Sequence, residues 1–320
     1  MKRRLFCIAG LAPALLRAQG AAWPAARPIR LLVGQPAGYS PDITSRQLAD
    51  ALSAELRQTI VVENKPGGGG ALMMRALRDA APDGYTLGSV FWNQMTVQPV
   101  LVRQIDYNPA EDFAHVGIWS IGAQLLVANP ASGIRSMADL VARARAARQP
   151  LNWASHGNGT PGHVFMSLLL DRAGLAMNHV PFKGSETVTA AVSGDVPVAI
   201  TGVVDSAGFV RNGQLVPLAV TGPRRLPLLP QVPTLTESGH LGVEYGVWAG
   251  LLAPKGTPPE LIDRLNAALR AAAAQPGLRE KREAAGALVQ VGSPAEMQQR
   301  VRDEIPFWRE LVQKVGITAT

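Results

Sequence analysis

The sequence predicts an α/β fold made of two doubly wound domains that face each other across a cleft. Three observations predict it. Strand and helix patterns alternate through both halves of the chain, as parallel sheets covered by helices require. A strand, a Gly-rich loop and a helix opened by proline occur once in each half, around Pro41 and around Pro161. The length, 320 residues, is close to two domains at roughly 150 residues each.

The first unit runs from a buried strand (29–33) through a loop (34–39) into a helix. Ser40 reads as its N-cap and Pro41 as its first helical residue, and Leu48, Ala51, Leu52 and Leu56 recur at helical spacing. A short β-branched strand (59–63), the turn through Gly67–Gly70 and a helix (71–80) follow. The next strand (85–91) carries Trp92 and Asn93 at its carboxyl end, the side on which open α/β sheets bind ligands. Strands at 116–120 and 124–128 bracket Gly122, a candidate hinge. Ser136 caps a helix to Ala147, and the second strand–loop–helix unit (151–173) has Thr160 as N-cap and Pro161 at the first helical position. Strand 178–182 leads into Lys183, Gly184 and Ser185, with Ser185 capping the next helix. Strand 197–201, a helix opened by Asp205 and strand 215–220 complete that half. A Pro- and Gly-rich connection (221–239) returns the chain to a strand at 245–253, helices at 258–274 and 278–285, and a strand at 288–291. Ser293 and Glu296 form a capping box for the last helix. The domain division that follows is 23–121 with 245–320 as domain I, and 122–244 as domain II.

The N-terminus reads as a secretory signal peptide over residues 1–22. Lys2, Arg3 and Arg4 precede a short apolar run and the small residues Ala18, Gly20, Ala21 and Ala22, so cleavage fits after Gly20 or after Ala22. Removing Lys2, Arg3, Arg4 and Arg17 takes four charges from a formal net charge of +7 and leaves +3. That spread remainder gives no basis for nucleic-acid binding. The one cysteine, Cys7, leaves with the signal, so the mature chain has no disulfide or thiol chemistry.

Catalytic signatures are missing. There is no G-x-S-x-G elbow, no P-loop and no H-E-x-x-H, and Leu72 and Met73 stand where a dinucleotide fingerprint needs its third glycine. No catalytic residue, cofactor or metal site is expected. Binding features are better represented. Helix starts present unpaired N–H groups and the positive end of the macrodipole, which suits an anion. The candidate ligand-binding residues are Ala37, Gly38, Tyr39, Ser40 and Asp42 of the first loop, Trp92, Ser155, Asn158, Thr160 and Pro161 of the second loop, Lys183, Gly184 and Ser185, and Asp205. Some of them have a second reading. Asp42 either stabilises its helix from the first turn or meets a ligand ammonium or hydroxyl. Lys183 is either an exposed loop lysine or a positive charge for a carboxylate. Trp92, Trp119, Trp153 and Trp248 are either core or aromatic platforms.

The runs PIRLLVGQPAGYSPDITSRQLADALS, VVENKPGGGG, PDGYTLG, NWASHGNGTPGH, HVPFKGS and WAGLLAPKGTPPELIDRLN occur in this order across nearly the whole mature chain. Together they resemble the Bug-type (TctC-like) periplasmic solute-binding proteins of tripartite tricarboxylate transporters. The resemblance implies a type II periplasmic-binding fold, and a small carboxylate held by backbone N–H groups and ordered waters at residues 37–42 and 155–161. It also implies a periplasmic location and the membrane subunits of such a transporter as partners. A monomer is expected. The first loop departs from the family's usual PAGGSTD-like form, because Tyr39 brings a ring and a hydroxyl and Pro41 removes an N–H. A smaller or flatter carboxylate, aliphatic or aromatic, stacked on Tyr39 or a tryptophan, is the expected ligand. Two other readings share the frame: a ligand-sensing module that reports to a membrane signalling protein, and a secreted enzyme.

Overall fold

The computed structural model describes residues 23–102, 105–182, 186–240 and 246–317. The signal segment, the Lys183–Ser185 turn and Tyr245 lie outside the described residues.

In chain order, the first part comprises β1 (Ile29–Val33), α1 (Ser40–Leu56), β2 (Ile60–Asn64), α2 (Ala71–Arg78), β3 (Thr86–Phe91), α3 (Gln98–Leu101) and β4 (Phe113–Gly122). The middle comprises β5 (Gln124–Ala128), α4 (Met137–Ala146), β6 (Leu151–Ser155), α5 (Pro161–Ala173), β7 (Met177–Pro181), α6 (Glu186–Ser193), β8 (Val198–Gly202), α7 (Val203–Arg211) and β9 (Val216–Val220). The chain then returns through β10 (Val247–Pro254), α8 (Pro259–Ala274), α9 (Pro276–Ala284), β11 (Ala287–Val289) and α10 (Pro294–Val315). Two sheets result, in the orders β11-β4-β10-β3-β1-β2 and β7-β6-β8-β5-β9.

Each sheet has a parallel half, as the alternating pattern predicts: β1 between β2 and β3, and β6 between β7 and β8. Neither sheet is parallel throughout. β10 runs antiparallel between β3 and β4, and β5 runs antiparallel between β8 and β9. These are the strands at which the chain passes between the sheets. β4 of the first sheet runs straight on into β5 of the second, with Ala123 alone between them. Gly122 is no loose hinge: it pairs with Val247 on one side and Ala287 on the other. The crossing is tight, because a Cβ on Gly246 would stand 2.5 Å from Ile121 and 2.8 Å from the Gly122 carbonyl oxygen.

The local signals mostly landed where the chemistry put them. Ser293 and Glu296 form both bonds of the capping box, and the Ser136 hydroxyl accepts from the Asp139 N–H. The first helix is shifted by one residue: Tyr39, in an extended conformation, is its N-cap, with Ser40 first and Pro41 second in the helix. The reason is that the Tyr39 carbonyl already accepts the Ile43 N–H at 3.0 Å. An unforeseen π-helical turn (Asn93–Val97) follows β3.

α10 bridges the two sheets behind the cleft. Its Trp308 meets Trp92, after β3, edge-on at 5.2 Å and Phe165 of α5 at 5.8 Å, and all three rings are fully buried. Trp92 is therefore core and not a ligand platform. Trp119, Trp153 and Trp248 are also 0–1% exposed. Glu304, one turn before Trp308, takes hydrogen bonds from Arg300 and from both indoles, Trp248 and Trp308. Truncating so large a buried ring leaves a cavity, so Trp308→Ala should cost about 3–5 kcal/mol of stability, read as a fall in urea midpoint.

Candidate ligand-binding site

The starts of three helices, α1, α5 and α7, meet at one cavity of about 250 Å³ lying against the crossing strands. Ser40, Pro41 and Thr44 of α1 form one wall, and Pro161 and Gly202–Asp205 form the opposite one. Neither N-cap side chain covers its helix start. Tyr39 makes no side-chain cap bond, and the Thr160 hydroxyl donates back to the Gly157 carbonyl at 2.7 Å. Backbone N–H groups and the positive macrodipole ends therefore remain available to an anion.

Each loop is shaped from behind. In the first, Asp42 is 1% exposed and accepts three bonds, from the Gly38 N–H at 2.8 Å, the Asn64 amide at 2.8 Å and Arg46 at 3.0 Å. Burial alone would raise its carboxyl, but the bonds from Arg46, Gly38 and Asn64 outweigh that and hold it below the usual range. Asp42 is absent from the cavity lining, and three of its roughly four acceptor sites fix the loop. In the second loop, Ser155 is fully buried and shares a 2.7 Å bond with His179 Nε2, and the Gly159 N–H donates to His163 Nδ1 at 3.1 Å. The two imidazoles stack at 4.0 Å, with Trp153 beside them. Burial pushes His163 down to about 4; burial and the neighbouring His163 push His179 down to about 4 as well. Both rings are neutral at pH 7.

The remaining sequence candidates fall as follows. Ser40, Pro41, Pro161 and Asp205 line the cavity. His156 Nε2 stands 3.5 Å from Asp205, and burial lowers its pKa despite that carboxylate. Asn158 lines a second cavity of about 420 Å³ instead, with Gly68, Gly69, Asn93 and Gln98. Ala37, Gly38 and Tyr39 are exposed, and the Tyr39 ring, 63% exposed, is not part of the 250 Å³ lining. Sequence reasoning missed Phe91, Thr44, Ser120 and Arg282, all of which line that cavity. The signal for Phe91 was its place as the last residue of β3, at the carboxyl end of the strand, whereas Trp92 has already turned helical. The signal for Arg282 was its place one turn after buried Leu278, on the same face of α9.

The family model "Tripartite tricarboxylate transporter family receptor" matches residues 44–317. The chain belongs to that family. The receptor is 32% identical to protein BugT of Bordetella pertussis, over 91% of this chain and 90% of BugT. It also resembles a solved R. palustris protein with adipate, at 30% identity and a TM-score of 0.75, covering 92% of this chain and 99% of the other. A third similar protein is MatC from Rhodopseudomonas palustris with bound malate, at 29% identity and TM-score 0.70, covering 90% and 99%. The family is one of periplasmic solute receptors and not of enzymes, so the role of the chain is solute binding. Among the described residues no helix is long and apolar enough to cross a membrane.

Two predictions follow from how the loops are held. Asp42→Ala strands the Gly38 N–H and the Asn64 amide, and should cost roughly 1–3 kcal/mol in chemical unfolding. The histidine pair makes stability depend on pH. Its folded pKa values lie below the unfolded value, so the unfolded chain binds more protons and stability falls as pH drops from about 6.5 toward 4. The urea midpoint should therefore fall between about pH 7 and pH 5, and His163→Gln should shrink that fall.

Proposed function

We propose that the receptor captures a small carboxylate in the periplasm and delivers it to the membrane subunits of a tripartite tricarboxylate-type transporter. One observation carries this reading: two helix starts without side-chain caps open into the same cavity. Such a pair favours an anion over a neutral or cationic solute. The adipate and malate carried by the two R. palustris relatives agree with a carboxylate. Asp205, whose side chain is half exposed, would accept a hydroxyl or another donor of the ligand. In this reading residues 1–22 direct export. Residues 23–121 with 245–320 form one lobe and 122–244 the other, and ligand closes them. The ring of Tyr39 is the one aromatic of the first loop that remains exposed to meet a ligand.

The test is a thermal-shift screen on the chain from Trp23 onward, unfolded and refolded to strip carried ligand. The panel holds mono-, di- and tricarboxylates and matched neutral amides. A ligand at about 1,000 times its dissociation constant adds about 4 kcal/mol, which is several degrees for domains of this size. A shift by carboxylates and none by their amides is expected. Val204, 58% exposed on the cavity wall, offers the block: Val204→Trp should abolish the shift while keeping a cooperative melt. Equal shifts from acids and amides, or an undiminished shift in Val204→Trp, would refute the reading.

A further inference from the structure

We propose that Arg282 is the specificity-determining residue of the cavity and selects a ligand with a second carboxylate, a short aliphatic dicarboxylate. This rests on the carboxylate reading above and names the class of acid.

Arg282 projects from α9 into the cavity wall that adjoins the crossing strands. Its guanidinium donates to two neutral hydroxyls, Thr44 Oγ1 at 2.9 Å and Ser120 Oγ at 3.4 Å, and lies 5.9 Å from the Trp119 ring. Among the described residues no carboxylate lies within ion-pair distance of it, although arginine–carboxylate pairs such as Arg30 with Glu63 and Arg300 with Glu304 form elsewhere. Burial pushes its pKa down to about 10, with no nearby acid to offset it, and it remains a cation at neutral pH. A partly desolvated guanidinium without a counter-charge is costly unless an anion completes it. Asp205, the other charged group of the cavity, belongs to the α7 start and is not its ion-pair partner.

The hydroxyls do more than satisfy two donors. They hold the planar group in place, and a guanidinium retains further N–H groups in a fork that matches a carboxylate. Thr44 is one turn along α1 from Ser40, so the guanidinium is held beside the first turn of α1, in the same cavity as the helix starts. A cavity of about 250 Å³ leaves room for only a short chain between two carboxylates. One carboxylate then lies at the helix starts and the other at Arg282. A monocarboxylate of the same length would leave the guanidinium unpaired against an apolar end.

The experiment is titration calorimetry of refolded wild type, Arg282→Gln and Arg282→Lys with succinate, glutarate and adipate and with the monomethyl ester of each. Wild type should bind its best diacid more tightly than the matching monoester by about 10- to 100-fold, the range of a charge-assisted bond. Arg282→Gln should reduce that ratio to within about 3-fold of unity, and Arg282→Lys, a point charge without the fork, should fall between. Unliganded Arg282→Gln should melt no lower than wild type, since it removes an unpaired charge. A diacid preference that survives in Arg282→Gln overturns the assignment. So does a lower melting temperature of the unliganded variant together with equal loss for diacid and monoester, which is the signature of a structural arginine. Wild type binding neither diacids nor monoesters would instead overturn the carboxylate reading itself, and this inference with it.

Discussion

A helix start must find acceptors for its first N–H groups, and in this receptor two such starts lack the side chain that normally supplies one. The rest of the site follows from that shortfall. If α1 and α5 faced bulk solvent, water would satisfy them and no cleft would be needed. They open instead into one cavity of about 250 Å³, and unpaired helix starts of this kind suit an anion. The loops before these starts are braced by buried and half-buried side chains. Asp42 and the stacked pair His163 and His179 provide the stiffness from behind, each through bonds to backbone or to a buried hydroxyl.

The same constraint explains how the two sheets are joined. A cleft that grips a small solute needs walls whose approach is defined. β4 and β10 pair antiparallel in the six-stranded sheet, with Gly246 packed against Ile121 and the Gly122 carbonyl, so the point at which β4 leaves for β5 is tightly held. Behind it α10 contributes Trp308 to a cluster with Trp92 and Phe165, one from each sheet's following segment. Gly286, at a positive φ of 67° and backed by Val203, brings the end of α9 against the start of α7.

Local chemistry made much of this legible. The helix started by Thr160 and Pro161 and the box of Ser293 with Glu296 could be read because capping depends on a few adjacent residues. The alternation of strands and helices gave the two-sheet architecture for the same reason. What was not legible depended on direction or distance. Hydrophobic period does not encode which way a strand runs, so the antiparallel β5 and β10 were invisible. Asp42 looked like a ligand group because its three partners, Gly38, Arg46 and Asn64, converge only in space. Trp92 was singled out for its place at the carboxyl end of the strand, but it turns helical into the core while Phe91, the last strand residue, lines the cavity. Arg282 joins the cavity from about 240 residues further along the chain than Thr44, a proximity no local pattern contains.

The most direct test of the central claim, one anion shared by two helix starts, is amide hydrogen exchange of refolded receptor with and without its carboxylate. The account predicts that protection rises together over residues 38–44 and 158–164, with the same dependence on ligand concentration, while α4 (Met137–Ala146), which contributes nothing to the cavity lining, changes little. Protection confined to one of the two loops, or spread evenly over the molecule, would contradict it.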